Sequence, residues 1–193
     1  MKRGVCIVGC GALGSHLVQA IRNEDIDLRL IDDDRLEAKN VLSQFHVRQQ
    51  VGKNKAQALA QTMQGFFGVK VDSVIPHRLT ADNVATLLMG SALVVDCLDN
   101  TATRKLVRTY VRAHGTPCLH GALAGDGALG RVQWDDAFPI DDDGGAVGAT
   151  CRDGEHLAFV ALVSAYLARS VHVFLTEGKR VGYSVTPAGA VVI

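Results

Sequence analysis

Three closely spaced glycines, Gly9, Gly11 and Gly14, follow directly on the apolar run Val5-Cys6-Ile7-Val8. A second apolar run, Leu28-Arg29-Leu30-Ile31, ends in Asp32-Asp33-Asp34. G-x-G-x-x-G between a strand-like run and a helix, with an acidic residue after the next strand, is the fingerprint of a βαβ unit that holds a nucleotide. Each glycine has its own task. Gly9 permits the tight turn, Gly11 lets the backbone approach a phosphate, and Gly14 lets the helix pack close to the sheet. The helix opening at Ala12 and Leu13 then offers unpaired N–H groups and a positive dipole end to an anion. Asp32, 18 residues after Gly14, stands where a carboxylate accepts hydrogen bonds from a ribose. The bland alternative, a glycine turn without a ligand, leaves this context unexplained.

The rest of the chain alternates helix and strand patterns. Helical spacing over Lys55–Met63 precedes an extended stretch, Val69–Ile75, and a short helix over Asp82–Leu88. Ala92-Leu93-Val94-Val95 suits a buried parallel strand. Thr101 to His114 reads as a helix with Leu106, Tyr110 and Val111 on one face, followed by strands at Pro117–Leu123 and Leu129–Trp134. Asp135–Thr150 is rich in Asp and Gly and reads as a solvated crossover loop, with metal or substrate binding as the sharper alternative. Glu155 to Leu175 is a mostly apolar helix, and Val181–Val192 a closing hairpin. The expected fold is α/β. It is a Rossmann-like, doubly wound, mostly parallel sheet with helices on both faces and a C-terminal antiparallel extension, all in one domain over residues 1–193.

Composition narrows the function classes. Lysine plus arginine equals aspartate plus glutamate at 20 each, so the electrostatic footprint of a nucleic-acid binder is missing. No apolar run is read as reaching the length of a membrane span, and no signal peptide is expected. Five cysteines without a C-x-x-C pair argue against a four-cysteine zinc site and for a reduced, cytoplasmic setting. Cys118 and His120 share one strand face, where core packing is favoured over metal binding. His46, His77, His114, His156 and His172 lack partners at ligand spacing.

Four further features separate the chain from a plain NAD-dependent oxidoreductase. The second strand ends in Asp32-Asp33-Asp34, followed by Asn40 and Gln44. Gly52-Lys53-Asn54-Lys55 opens the next helix. Asp96-Cys97-Leu98-Asp99-Asn100, then Arg104, closes the fourth strand, and Cys151-Arg152 precedes the last helix. Ligands of open α/β sheets collect at the carboxyl ends of strands near the switch point, where Asp32, Asp34 and Asp99 all belong. A carboxylate at Asp99 suits Mg²⁺ held against phosphate oxygens, and Lys55 supplies a point charge to the phosphates. These groups fit ATP better than NAD.

The ordered set resembles the ThiF/MoeB/E1 superfamily of ubiquitin-activating-type adenylyltransferases over roughly residues 4–178. The family's D-x-D and N-L-x-R-Q appear as Asp32-Asp33-Asp34 and Asn40-Val41-Leu42-Ser43-Gln44, and its G-x-x-K as Gly52 to Lys55. D-C-x-D-N…R is Asp96 to Arg104, h-G-A is His120-Gly121-Ala122, and G-x-v is Gly130-Arg131-Val132. The resemblance implies acyl adenylation with ATP and Mg²⁺. The substrate would be the C-terminal carboxylate of a small ubiquitin-like or sulfur-carrier protein, and the assembly a homodimer or heterodimer. It places Asp32 on ribose, Lys55 on the phosphates and Asp99 on Mg²⁺, with Gly9, Gly11, Ala12, Leu13, Gly14, Asp34, Asn40, Gln44, Leu98, Asn100 and Arg104 around the nucleotide. Arg104 reads equally well as an ordinary ion-pair residue. Cys151 is the candidate thiol for the activated acyl group, against an inert structural cysteine.

One departure bears on activity. The family's arginine in N-L-x-R-Q is Ser43 here, and a hydroxyl cannot replace a guanidinium on a phosphate. Arg48, five residues on, is the proposed substitute, with Lys53 as another donor. The rival reading is a non-catalytic nucleotide-binding or scaffold subunit completed by a partner.

Overall fold

The computed structural model describes residues 2–140 and 154–193. Its strands are β1 (Arg3–Val8), β2 (Ile26–Ile31), β3 (Ser73–Ile75), β4 (Leu93–Asp96), β5 (Cys118–Leu123), β6 (Gly130–Trp134), β7 (Tyr183–Thr186) and β8 (Gly189–Val192). The α-helices are α1 (Ala12–Ala20), α2 (Lys55–Phe67), α3 (Val84–Leu88), α4 (Thr101–His114) and α5 (Leu157–Glu177). All eight strands form one sheet in the order β3-β2-β1-β4-β5-β6-β7-β8. The first five are parallel, and the turn to antiparallel pairing comes at β5–β6. The doubly wound sheet with an antiparallel extension is therefore as the sequence predicts.

Period-two alternation explains the layering. Val5 and Ile7 of β1 point into a core shared with Leu13, Leu17 and Val18 of α1, Leu59 and Met63 of α2, and Val160, Val163 and Leu167 of α5. Cys6 and Val8 point the other way, to Val84 and Leu88 of α3 and Val107, Tyr110 and Val111 of α4. The buried face of α4 thus runs through Val107 rather than the expected Leu106, which is only half-buried. Full burial of each such aliphatic side chain contributes about 1.5–3 kcal/mol.

Caps set the helix limits. Asn54 accepts from Gln57 N at 3.1 Å to open α2, and Asn100 accepts from Thr103 N at 2.8 Å to open α4. Gly68 and Gly115 close these helices in the left-handed conformation. The expected helix over Asp82–Leu88 is regular only from Val84. Asn83 Oδ1 accepts from Thr80 N at 2.9 Å and holds the preceding residues in a turn.

Two expectations need correction. With 21 residues, α5 is long and apolar enough, by length and composition alone, to cross a membrane. Its Phe159, Val160, Val163, Leu167 and Val171 are nonetheless buried against α1 and the sheet, as in a core helix. The Asp135–Thr150 stretch does not begin as solvated loop either, because Asp135 is buried in an ion-pair network described below. Residues 141–150 of that loop, together with Cys151, lie outside the described residues.

Candidate functional site

The strand order reverses at β1, which has β2 on one side and β4 on the other. At that switch point the carboxyl ends of the strands surround a cavity of about 430 Å³. Its wall includes Gly9, Gly11, Ala12 and Leu13 from the glycine turn, Asp32, Asp33 and Asp34 after β2, and Gln44 and Lys55. Leu98, Asp99, Asn100 and Arg104 close the β4 side.

The glycine turn is built as its spacing implies. Gly9 has φ of 92°, and a Cβ there would sit 2.8 Å from Cys97 O. A Cβ on Gly14 would fall 1.8 Å from Gly9 O, so α1 crosses β1 at a distance only glycine permits. Gly11 is different: its Cβ would meet only Gln44 Nε2 at 3.9 Å, which leaves the approach from the cavity open. The first N–H groups of a helix have no intrahelical partner, and at α1, whose start borders the cavity, the N-cap Gly11 offers no side chain to cap them. Gln44 adds a buried Oε1 with no hydrogen-bond partner among the described residues. An open glycine, an uncapped helix start and this acceptor match a nucleotide phosphate and sugar.

Asp32 anchors the turn from the β2 side. Its Oδ2 accepts from Cys10 N at 2.6 Å and its Oδ1 from Asp34 N at 2.8 Å. Burial pushes its pKa up to about 6, against the opposing pull of those N–H groups and of Lys55. A carboxylate has about four lone-pair positions, so capacity remains for ribose hydroxyls. Lys55 is itself buried, and its Nζ donates to Asp34 Oδ2 at 2.7 Å. Burial works against its charge, but Asp34 and Asp32 outweigh burial and raise its pKa. Asp99 is exposed at the cavity, and across it the carboxylates of Asp32, Asp33 and Asp34 lie within 4.8 Å of one another, close enough to share a metal ion.

Four sequence-predicted residues are not among the described residues lining the cavity: Gly14, which serves the close crossing of α1 instead, and Asn40, Arg48 and Lys53. Asn40 turns back on its own 3₁₀ turn, where Oδ1 accepts from Glu37 N at 2.8 Å. Arg48 is exposed at the start of a second 3₁₀ turn and is not among the described residues lining the cavity. Lys53 points to Gln61 Oε1 at 2.8 Å. Neither Arg48 nor Lys53 is thus among the described residues lining the cavity, and Ser43, where the family has arginine, is itself buried and outside the lining.

The structure adds residues that sequence reasoning passes over. His77, Arg78 and Leu79 line the cavity just after β3. Arg78 Nε lies 3.9 Å from Asp33 Oδ2, and both side chains are largely exposed. Their place at the carboxyl end of a strand is the available signal. Phe138, Pro139 and Ile140 form another wall.

On the β4–β5 side lies a buried ionic cluster. Asp96 is fully buried, with Arg104 Nε 3.4 Å and His120 Nδ1 2.7 Å from its Oδ2. Arg104 also donates to Leu98 O and, at 3.1 Å, to Gly121 O, and lies 5.0 Å from the Phe138 ring centroid. It is both an ion-pair residue and part of the cavity wall. Burial pushes the Asp96 carboxyl up, but Arg104 and His120 overcome burial and hold it below its ordinary value. Cys118 Sγ approaches His120 Nε2 at 3.6 Å, a spacing reminiscent of a thiol–imidazole pair. Burial and the charges of Asp96 and Asp135 instead push that thiol well up, which disfavours the thiolate a nucleophile needs.

Comparison with known proteins agrees with this geometry. The chain is 33% identical over 121 residues to the SAMP-activating enzyme E1 of Haloferax volcanii, covering 62% of this chain and 45% of that protein. It is 33% identical over 117 residues to the adenylyltransferase and sulfurtransferase MOCS3 of Mus musculus, covering 60% of this chain and 25% of that one. It thus spans less than half the length of either relative. Among solved structures, Escherichia coli MccB with ATP superposes with a TM-score of 0.77 at 15% identity, over 99% of this chain and 62% of MccB, which shows the shared fold. The ThiF family model matches residues 2–152, most of the chain, and the chain belongs to the ThiF family.

Proposed function

We propose that the cavity binds Mg-ATP and that the chain transfers AMP to the C-terminal carboxylate of a small ubiquitin-like or sulfur-carrier protein. The observation that carries this reading is the convergence of the open Gly11 turn, Asp32, Lys55, Asp99 and Arg104 on one cavity. Relatives that are adenylyltransferases, and an MccB structure with ATP on the same fold, support it.

A carboxylate oxygen of the carrier attacks the α-phosphorus. A bond forms there as the bond to the pyrophosphate oxygen breaks, and its electron pair leaves with pyrophosphate. No proton moves, so the protein needs no general base. Its work is positioning and charge neutralisation. The α1 N–H groups hold phosphate oxygens, Asp32 takes the ribose hydroxyls, and Lys55 turns from Asp34 toward the phosphates. Asp99 would hold Mg²⁺, which offsets charge on the phosphate oxygens. Capture of the acyl group on Cys151, with loss of AMP, is a second and separable step. The free thiols of Cys6, Cys10, Cys97 and Cys118 suit a cytoplasmic setting.

The rival scaffold reading draws on two observations: Lys55 is already paired with Asp34, and neither Arg48 nor Lys53 is among the described residues lining the cavity. Calorimetry with ATP and Mg²⁺, with NAD as control and Asp99→Ala as variant, separates the readings. Magnesium-dependent ATP binding lost in the variant, followed by carrier-dependent pyrophosphate exchange, is the expected result. Binding without exchange for any Gly-Gly-ended carrier favours the scaffold, and NAD binding alone overturns both.

A further inference from the structure

His120 stands at the middle of a buried bridge that the proposed adenylation does not use. Its Nδ1 lies 2.7 Å from Asp96 Oδ2 and its Nε2 3.0 Å from Asp135 Oδ1, with the imidazole fully buried. Asp96 ends β4, and Asp135 follows β6, so the ring ties two segments that are distant in sequence. We propose that His120 is a positioning residue that, by bridging Asp96 and Asp135, holds Arg104 and the Phe138 wall of the nucleotide cavity in place.

The chemistry of the bridge is specific. Ionised carboxylates only accept hydrogen bonds, so both ring nitrogens must donate, and only the imidazolium has two N–H groups. The arginines keep both carboxylates ionised, although the Arg104 charge itself opposes the imidazolium. Asp135 accepts from Arg108 Nε at 3.0 Å and Arg112 Nε at 2.6 Å, and Asp96 pairs with Arg104. Burial lowers the His120 pKa, but the bonds to Asp135 and Asp96 more than offset burial and raise it. Cys118, the remaining titratable neighbour, is held as a neutral thiol.

The bridge reaches the cavity through Phe138. That ring stacks on the imidazole at a centroid distance of 4.5 Å, and the Arg104 guanidinium lies across it. Arg108 also donates to Phe138 O. Loss of one proton from His120 leaves a ring lone pair against a carboxylate. Asp135 sits at the rim of the cluster, so it is the side that yields, and Phe138 moves with it.

The wall depends on the bridge whether or not a ligand is bound, while the effect on affinity rests on the nucleotide reading. The first test is therefore ligand-free: nitrogen-15 NMR of the His120 ring and proton NMR of Phe138 in the full chain from pH 6 to 9. Both His120 nitrogens are expected protonated at pH 7, with Phe138 ring resonances moving at the same midpoint as the imidazole. A neutral His120 at pH 7, or Phe138 signals that ignore its titration, overturns the proposal.

ATP affinity in the wild type should weaken as pH rises through that midpoint. In His120→Gln, whose amide has only one donating group, affinity should already be about ten- to a hundredfold weaker and lack this step. Should the variant fail to fold, Asp135→Asn with the wild-type profile serves in its place. A profile identical in variant and wild type overturns the proposal. Absence of ATP binding at every pH refutes the nucleotide reading, and the ligand-free NMR titration then decides the bridge alone.

Discussion

Two aspartates end the two strands that flank β1, and their environments differ in kind. Asp32, at the end of β2, takes two backbone N–H groups, and burial still pushes its pKa up to about 6. Asp96, at the end of β4, is more deeply buried, yet Arg104 and His120 hold its carboxyl below the ordinary range. Burial alone therefore does not decide a strand-end carboxylate. Asp32 keeps capacity for a ligand, whereas Asp96 commits its own to the framework that carries Arg104. In the proposed reading the half around Asp32 is given to recognition, and the half around Asp96 and His120 supports the Arg104 side.

The comparison breaks most severely at the backbone. Gly14→Ala drives a Cβ to 1.8 Å from Gly9 O, where no flexible side chain can yield. The expected cost is at least about 3 kcal/mol, the upper range for overpacking, read by chemical denaturation. A stable variant with native ATP affinity would refute the close crossing of α1 over β1.

Asp96→Ala tests the supporting half. It leaves Arg104 and His120 without their buried partner, and such losses cost about 3–5 kcal/mol. The matching Asp32→Ala should cost less stability but more affinity. Equal stability losses in the two variants would erase the distinction.

The carboxylates of the two halves should also respond oppositely to pH. Asp32 has a folded pKa of about 6 against an ordinary 3.8, so its folded state binds the proton more tightly. Stability from this group is greatest at low pH and is lost as pH rises from about 4 to 6. Asp96 and Asp135 have lowered values, so their contribution is present above 3.8 and is lost as pH falls below that. His120, raised above 6.5, contributes below that pH and loses its contribution as pH rises through its folded value. Thermal unfolding of Asp32→Asn, subtracted from wild type, should isolate the fall between about pH 4 and 6. A flat difference curve contradicts the assignment.

The smallest expected effect sits at the rim. Arg78→Ala removes an exposed side chain whose pairing with Asp33 is long, so stability should change by no more than about 0.5 kcal/mol. ATP affinity, measured by calorimetry, should fall by less than about tenfold, since one exposed contact contributes about 1 kcal/mol. A larger loss would move Arg78 from the rim into the recognition half.

The recognition half is legible in the sequence because its parts are close together along the chain. A tight turn, a helix start and a strand end over Gly9 to Asp32 follow from glycine's freedom and from period-two and helical patterning, which are local rules. The start of α4 at Thr101 and the apolar run of β4 are readable for the same reason. That Arg48 lies outside the cavity lining was not legible, because proximity along the chain says nothing about which side of a 3₁₀ turn faces the cavity. Asp135 reads as loop because its neighbours are acidic and small, and its arginine partners lie 27 and 23 residues away on α4.

By itself, the sequence determined the glycine crossing and the acid at the end of β2, because each depends on residues within one βαβ unit. Only the tertiary structure decided which buried carboxylate is paired and which remains available, and that His120 joins β4 to the segment after β6. The physical reason is that the pairing of buried charge depends on which groups fold within a few ångströms, across segments whose sequence separation carries no signal.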